Sequence, residues 1–333
     1  MNAPILRQPK DYATDQEVRW CPGCGDYAIL KAVQKTLADI QADPTNTVFV
    51  SGIGCAARFP YYIASYGFHG IHGRAPALAT GVKLANPALD VWVVGGDGDM
   101  LSIGGNHLIH ALRRNVDLTI LILNNEIYGL TKGQASPTSR RGTRTPSTPG
   151  GSVDAPLSAL KLALGAGARF VARGIDTQQK VLPEILKRAH AHKGAALVEI
   201  IQNCIVYNDG AFEGFTKKDV EAEAQLHVRH GEPLVYGKDR DKGLRLAGGL
   251  RLEATTADDP AVLRHDEKSP LLATLLAMLV PPMPVAIGVI YDDPAEASWE
   301  AAMRDQEGAN GRSLQEIMRQ GATWTRPELP AGR

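Results

Sequence analysis

The sequence predicts an α/β protein with a mostly parallel sheet, helices on both faces and an irregular C-terminal extension. Three observations carry that prediction. Short apolar runs, TVFVSGIG (47–54), DVWVVGGDGD (90–99) and DLTILILNN (117–125), each end in glycine or polar turn residues, as strands buried on both faces do. Stretches with apolar residues at helical spacing separate these runs, and strands joined through helices pair in parallel. Beyond residue 205 the alternation breaks into polar, proline-bearing and amphipathic segments.

Residues 1–20 mix polar, charged and proline residues without an apolar leader, and are expected to be an N-terminal arm of a cytoplasmic protein. From Asp26 to Ile40 the apolar positions 29, 30, 33, 37 and 40 form the stripe of an amphipathic helix. The strand at 47–54 follows and ends in a glycine turn; the strand at 90–99, a helix at 103–114 and the strand at 117–125 come next. Residues 131–152 are rich in Ser, Thr, Pro, Gly and Arg without periodicity, and a loop of that length is usually functional or mobile. A helix at 157–164, a strand at RFVA, a helix at 177–190 and a strand at 196–204 continue the pattern and bring Cys204 to a strand end. This gives one domain over 21–220 and an extension over 221–333 whose last part, from 300, looks amphipathic.

A chain of 333 residues, 44% of them hydrophobic, can bury a large core. Its 36 basic and 36 acidic side chains cancel, so no long-range field favours nucleic acid or an anionic membrane. No apolar run approaches the roughly 18 residues that span a bilayer. Partners must be read from sites.

The first site lies at two strand ends. Asp97 closes one strand and Asn125 the next, where open α/β sheets bind ligands, so both can converge on one ion. A carboxylate with an amide oxygen suits Mg²⁺, which draws its other ligands from water and a diphosphate. Glycines at 95, 96 and 98 allow close approach of the backbone to phosphate, and the next helix adds N–H groups. Gly-Asp-Gly alone is ordinary turn chemistry. Followed 28 residues after Asp97 by the second of two asparagines, it resembles the thiamine diphosphate motif, which implies Asp97, Asn125 and the carbonyl of Ile127 as metal ligands. No Gly-x-Gly-x-x-Gly with a following acidic residue supports a dinucleotide site instead.

The second site is made of cysteines. Cys21 and Cys24 in WCPGCGDYA fit a zinc knuckle or a dithiol pair, yet the other two thiols, Cys55 and Cys204, are isolated and fall near the same sheet edge as the diphosphate motif. Four thiolates beside an electron-rich cofactor suit a 4Fe–4S cluster.

Here CPGCG, GIGCAARFPYY, HGRAPALATGVKLANP, GGDGDMLSIGGNH, NNEIYGLTKGQASPT and a late cysteine resemble, in order, the β subunit of 2-oxoacid:ferredoxin oxidoreductases, over residues 18 to about 220. The tail resembles that of the two-subunit, 2-oxoglutarate-type branch. The resemblance implies the thiamine diphosphate-binding fold, one 4Fe–4S cluster on Cys21, Cys24, Cys55 and Cys204, Mg²⁺, coenzyme A as co-substrate and ferredoxin as electron acceptor. It places the glutamate that activates the aminopyrimidine in a separate α subunit, implying an α2β2 assembly inactive without it, with the 131–138 loop near the second subunit. The cofactor is expected to touch Gly54, Cys55, His72, Gly96, Asp97, Gly98, Asp99, Asn125, Ile127, Gly129, Leu130 and Thr131, with Asn106 a further candidate and Leu130 lining the substrate pocket. Arg58 and His72 are the catalytic candidates, since a guanidinium grips a carboxylate through paired hydrogen bonds. Arg74 and Lys83 belong to a helix from Ala75 that is expected to turn its charges outward. Arg140, Arg141 and Arg144 offer charge to an acidic ferredoxin or to coenzyme A phosphates, and equally suit a solvated loop. Rival assignments are a pyruvate-type member of the family, a thiamine-dependent decarboxylase without redox output, which needs no four cysteines, and a noncatalytic scaffold whose four cysteines bind zinc.

Overall fold

The computed structural model describes residues 6–307 and 314–320. The first half holds α1 (Asp26–Asp39), β1 (Thr47–Ser51), β2 (Tyr66–His69), α2 (Ala75–Ala85), β3 (Asp90–Gly96), α3 (Asp97–Leu101), α4 (Gly105–Arg113), β4 (Leu118–Asn124), β5 (Ile127–Tyr128) and β6 (Gln134–Ala135). There follow α5 (Ala159–Gly165), β7 (Phe170–Ile175), α6 (Leu182–Ala191), β8 (Ala195–Ile201), α7 (Glu213–Thr216), α8 (Glu221–Ala224) and β9 (Gln225–His227). The chain continues through β10 (Val235–Tyr236), β11 (Lys242–Ala247), β12 (Arg251–Thr256), α9 (Pro270–Ala277), β13 (Val285–Asp292), α10 (Trp299–Glu307) and α11 (Leu314–Gln320). The rest of the amphipathic stretch expected from 300, at 308–313 and 321–333, lies outside the described residues.

One eight-stranded sheet runs in the order β2-β1-β3-β4-β8-β7-β13-β9. Every neighbouring pair is parallel except β13 against β7. Because a strand's side chains alternate between faces, each central strand feeds two cores. Val91, Val93, Ile120 and Ile122 pack with Ala79 of α2, Leu112 of α4 and Ala273 of α9. Trp92, Val94, Leu121 and Leu123 pack with Val33 and Leu37 of α1 and Leu186 of α6. Helices therefore cover both faces, and each buried leucine or valine contributes about 1.5–3 kcal/mol.

Residues beyond 220, expected as an extension, complete this sheet: β9 and β13 are its last strands, and β10, β11 and β12 form a small antiparallel sheet beside it. The N-terminal arm is tied down as well. Tyr12 is buried and donates its hydroxyl to Ala42 O at 2.7 Å, and Trp20 Nε1 donates to Cys55 O at 2.8 Å. No helix among the described residues is long and apolar enough to cross a membrane. Parallel pairing lines up the carboxyl ends of β1, β3, β4 and β8 on one edge, where the two motifs meet.

Candidate active site

At that edge β3 ends on Gly96 and the chain turns directly into α3 with Asp97 at its first position. Of the three glycines, only Gly96 could carry a Cβ without crowding a neighbour. A Cβ on Gly95 would lie 2.8 Å from Met100 Cγ, and one on Gly98 would lie 2.2 Å from the Tyr128 ring, whereas at Gly96 the nearest atom is 3.8 Å away. Gly95 and Gly98 are thus required by protein neighbours, and Gly96 alone leaves room for a ligand.

Asp97 is 1% exposed. Its Oδ2 accepts the hydroxyls of Ser136 and Thr138, each at 2.5 Å, and the backbone N–H groups of Asn125 and Gly98 also donate to the carboxylate. Burial pushes this carboxyl above the usual range, and those donors oppose the rise. Asn125, just past the end of β4, donates Nδ2 to Gln202 Oε1 at 2.8 Å and accepts the Ile127 N–H on Oδ1 at 3.1 Å. Asp99 is tied to the neighbouring loops: its Oδ1 accepts the N–H of Ile53 at 3.1 Å and of Gly73 at 2.7 Å, and lies 2.7 Å from His72 Nδ1. It holds His72 by one ring nitrogen and leaves Nε2 without a protein hydrogen bond among the described residues.

These groups wall a cavity of about 530 Å³, and every residue of the expected cofactor set, from Gly54 to Thr131, lines it. Asp26 lines it too. At 1% exposure neither Asp26 oxygen has a close hydrogen-bond partner among the described residues; burial pushes its carboxyl up to about 7, the nearby Cys24 thiol opposes the rise, and the charge of Asp176 adds a smaller push.

Cys21, Cys24, Cys55 and Cys204 line a second cavity of about 200 Å³. Among the described residues no three His, Cys, Asp or Glu side chains form a group that could hold a single metal ion. A Cβ on Gly129 would sit 3.4 Å from Cys204 Sγ and 3.7 Å from Cys55 Sγ, so the backbone here passes within van der Waals reach of both thiols. Burial pushes the Cys55 thiol up to about 12 and raises that of Cys24 as well, while Cys21 is exposed. Cys55, Asn125, Gly129 and Leu130 line both cavities, so the two share a wall.

The catalytic candidates separate. His72 faces the larger cavity, whereas Arg58 lines the thiol cavity and donates Nε to the Tyr62 hydroxyl at 2.9 Å. Leu130 is 50% exposed at the shared rim. Asn106 is exposed on α4 and is not part of the lining. Arg74 Nη1 donates to His72 O at 3.2 Å. Lys83 does not point outward as expected; it is buried, with Nζ 2.7 Å from Asp117 and 2.8 Å from Leu89 O, because the carboxylate and carbonyl replace its water. Arg140 is held by Glu126 at 3.1 Å and by Ala211 O at 2.5 Å, while Arg141 and Arg144 stay exposed. Sequence reasoning missed Asp26, Ser136, Thr138 and Gln202. All four sit in or next to a recognised motif, but their roles arise only from contacts across the fold.

Residues 52–200 match the family described as thiamine pyrophosphate enzyme, C-terminal TPP binding domain. The 2-oxoglutarate oxidoreductase subunit KorB of Mycobacterium tuberculosis is 48% identical over 97% of this chain and 90% of its own length. This chain belongs to the β subunits of the 2-oxoacid:ferredoxin oxidoreductases. Another β subunit of this family, 2-oxoacid:ferredoxin oxidoreductase 1, subunit beta, from Aeropyrum pernix, is 51% identical over 60% of this chain and 62% of its own. The fold superposes with a TM-score of 0.76 on the 2-oxoglutarate:ferredoxin oxidoreductase of Magnetococcus marinus, solved with 2-oxoglutarate, coenzyme A and succinyl-CoA bound, at 34% identity over 94% of this chain and 95% of that one. The match extends well past residue 220, in keeping with β9 and β13 being part of the sheet of a 2-oxoacid:ferredoxin oxidoreductase β subunit.

Proposed function

We propose that this β subunit serves a cytoplasmic 2-oxoglutarate:ferredoxin oxidoreductase, which converts 2-oxoglutarate and coenzyme A to the acyl-CoA and CO₂ with release of two electrons and a proton, or runs the reverse reductive carboxylation. The observation that carries the proposal is the shared wall: a cavity fit for thiamine diphosphate and a cavity ringed by four thiols have Cys55, Asn125, Gly129 and Leu130 in common.

The residues fit the groups the family implies. The larger cavity has the size of small-molecule sites, roughly 300–1,000 Å³. Its orphaned Asp26 carboxyl suits a cationic, donor-bearing cofactor, and the opening over Gly96 admits phosphate. Asp97, Asn125 and the Ile127 carbonyl would hold Mg²⁺, and the four cysteines a 4Fe–4S cluster. Thiamine diphosphate, when bound, supplies the carbanion chemistry by which a 2-oxoacid loses CO₂, and the cluster a one-electron acceptor. The chain does the rest. Ser136 and Thr138 fix the Asp97 carboxylate, Asp99 fixes the His72 ring, and the rim at Leu130 separates substrate from thiols. The raised Cys24 and Cys55 thiols must give up their protons when metal binds.

The glutamate that activates the aminopyrimidine comes, on this reading, from an α subunit, and Ile53, which lines the larger cavity, with Ile71, next to His72 in sequence, are exposed apolar residues suited to burial against it. Assay of the α2β2 complex against a panel of 2-oxoacids with coenzyme A tests the substrate: 2-oxoglutarate should be turned over with the highest kcat/KM, and a preference for pyruvate would assign the chain to the pyruvate-type branch.

A further inference from the structure

Gln202 stands between the two cavities. It follows β8 directly, is 1% exposed, and its N–H is fixed to Asn124 O at 2.9 Å. Its side chain makes three hydrogen bonds: Nε2 donates to Cys24 Sγ at 3.2 Å and to Asn203 O at 2.7 Å, and Oε1 accepts Asn125 Nδ2 at 2.8 Å. The direction of this chain is forced. Asn203 O can only accept, which sets the Gln202 amide, and Asn125 Oδ1 is taken by the Ile127 N–H, which turns Nδ2 toward Gln202. One amide therefore joins a proposed metal ligand of the diphosphate site to a proposed ligand of the cluster.

We infer that Gln202 is a positioning residue that raises the reduction potential of the cluster through its hydrogen bond to Cys24 Sγ and links that potential to occupancy of the diphosphate site through Asn125. The inference rests on the reading that Cys24 ligates the cluster and Asn125 the metal. An N–H directed at a ligating sulfur favours the more negative, reduced state. A metal on Asn125 Oδ1 makes Nδ2–H a stronger donor, which polarises the Gln202 amide and strengthens its bond to sulfur. Cofactor loading thus makes the cluster a better acceptor where electrons are about to be released.

The test is a redox titration of the α2β2 complex followed by electron paramagnetic resonance, with and without thiamine diphosphate and Mg²⁺, on parent, Gln202→Met and Gln202→Glu. Methionine keeps the length and removes every hydrogen bond; glutamate keeps the acceptor for Asn125 and loses the N–H toward sulfur. Both variants should retain iron and the cluster signal, with a reduction equilibrium about tenfold less favourable, equivalent to about 59 mV for one electron. The parent potential should rise on cofactor loading, and that of the methionine variant should not. An unchanged potential in variants with full iron content would overturn the inference. Should the methionine variant fail to load iron, the glutamate variant decides by its response to the cofactor, since the carboxylate's own charge lowers the potential in any case: a potential that no longer rises on cofactor loading supports the inference and a parental rise refutes it. A parent complex that binds no iron would instead defeat the cluster reading itself.

Discussion

Asp26→Asn probes a buried carboxyl neither of whose oxygens finds a close hydrogen-bond partner among the described residues. Asp26 is 1% exposed, and burial lifts its carboxyl from 3.8 to about 7. A carboxyl whose folded value lies above its unfolded one binds its proton more tightly in the native state. Its stability is fully present below about pH 4 and is lost as pH rises toward and through about 7. At 1.36 kcal/mol per unit the full loss is about 4 kcal/mol, of which roughly 2–3 kcal/mol falls between pH 5 and pH 8. Asparagine cannot ionise. In urea unfolding of the metal-free chain across that range, the stability of Asp26→Asn relative to the parent should therefore climb by roughly 2–3 kcal/mol. The slope is the readout, because an unpartnered amide carries its own pH-independent cost. A difference that stays constant from pH 5 to pH 8 would refute the placement of a charged, unpartnered carboxyl at this position.

The remaining predictions concern the two cavities. Asp97→Ala should abolish thiamine diphosphate binding by the complex while leaving the iron–sulfur absorbance intact; cofactor bound at parental affinity would remove Asp97 from the metal site. Ser136→Ala deletes one charge-assisted hydrogen bond at 2.5 Å from Asp97, worth about 1.5–3 kcal/mol, so calorimetry should find cofactor binding weakened roughly tenfold to a hundredfold, and an unchanged constant would mean that the hydroxyl does not brace the carboxylate. In metal-free protein at pH 8, iodoacetamide should modify exposed Cys21 well before Cys24 and Cys55, whose thiols burial holds protonated; mass spectrometry showing equal labelling would contradict that environment.

The strand–helix alternation was legible from residue 26 to 201 because each central strand is apolar on both faces, and Asp97 and Asn125 were legible because both residues lie at the ends of consecutive strands. The cysteines gathered for the same reason, each lying in a turn at the sheet edge. What escaped lacks a local signal. The edge strand Tyr66–His69 is exposed at all four positions, so no burial pattern marks it. Strand β13 sits in an apolar stretch broken by prolines, and its antiparallel pairing with β7 depends on contacts more than a hundred residues away in sequence. Ser136 and Thr138 read as loop polarity, and become braces only when the loop folds back on Asp97. Lys83 reads as a surface charge until Asp117 is brought beneath it.

The central claim is that this chain supplies the diphosphate and cluster half of an active site completed by a second subunit. The most direct measurement is the 2-oxoglutarate- and coenzyme A-dependent reduction of an artificial electron acceptor by the isolated, iron-loaded chain, with and without added α subunit. No turnover alone and turnover restored by the α subunit is the predicted result; turnover by the isolated chain with no second polypeptide present would contradict it.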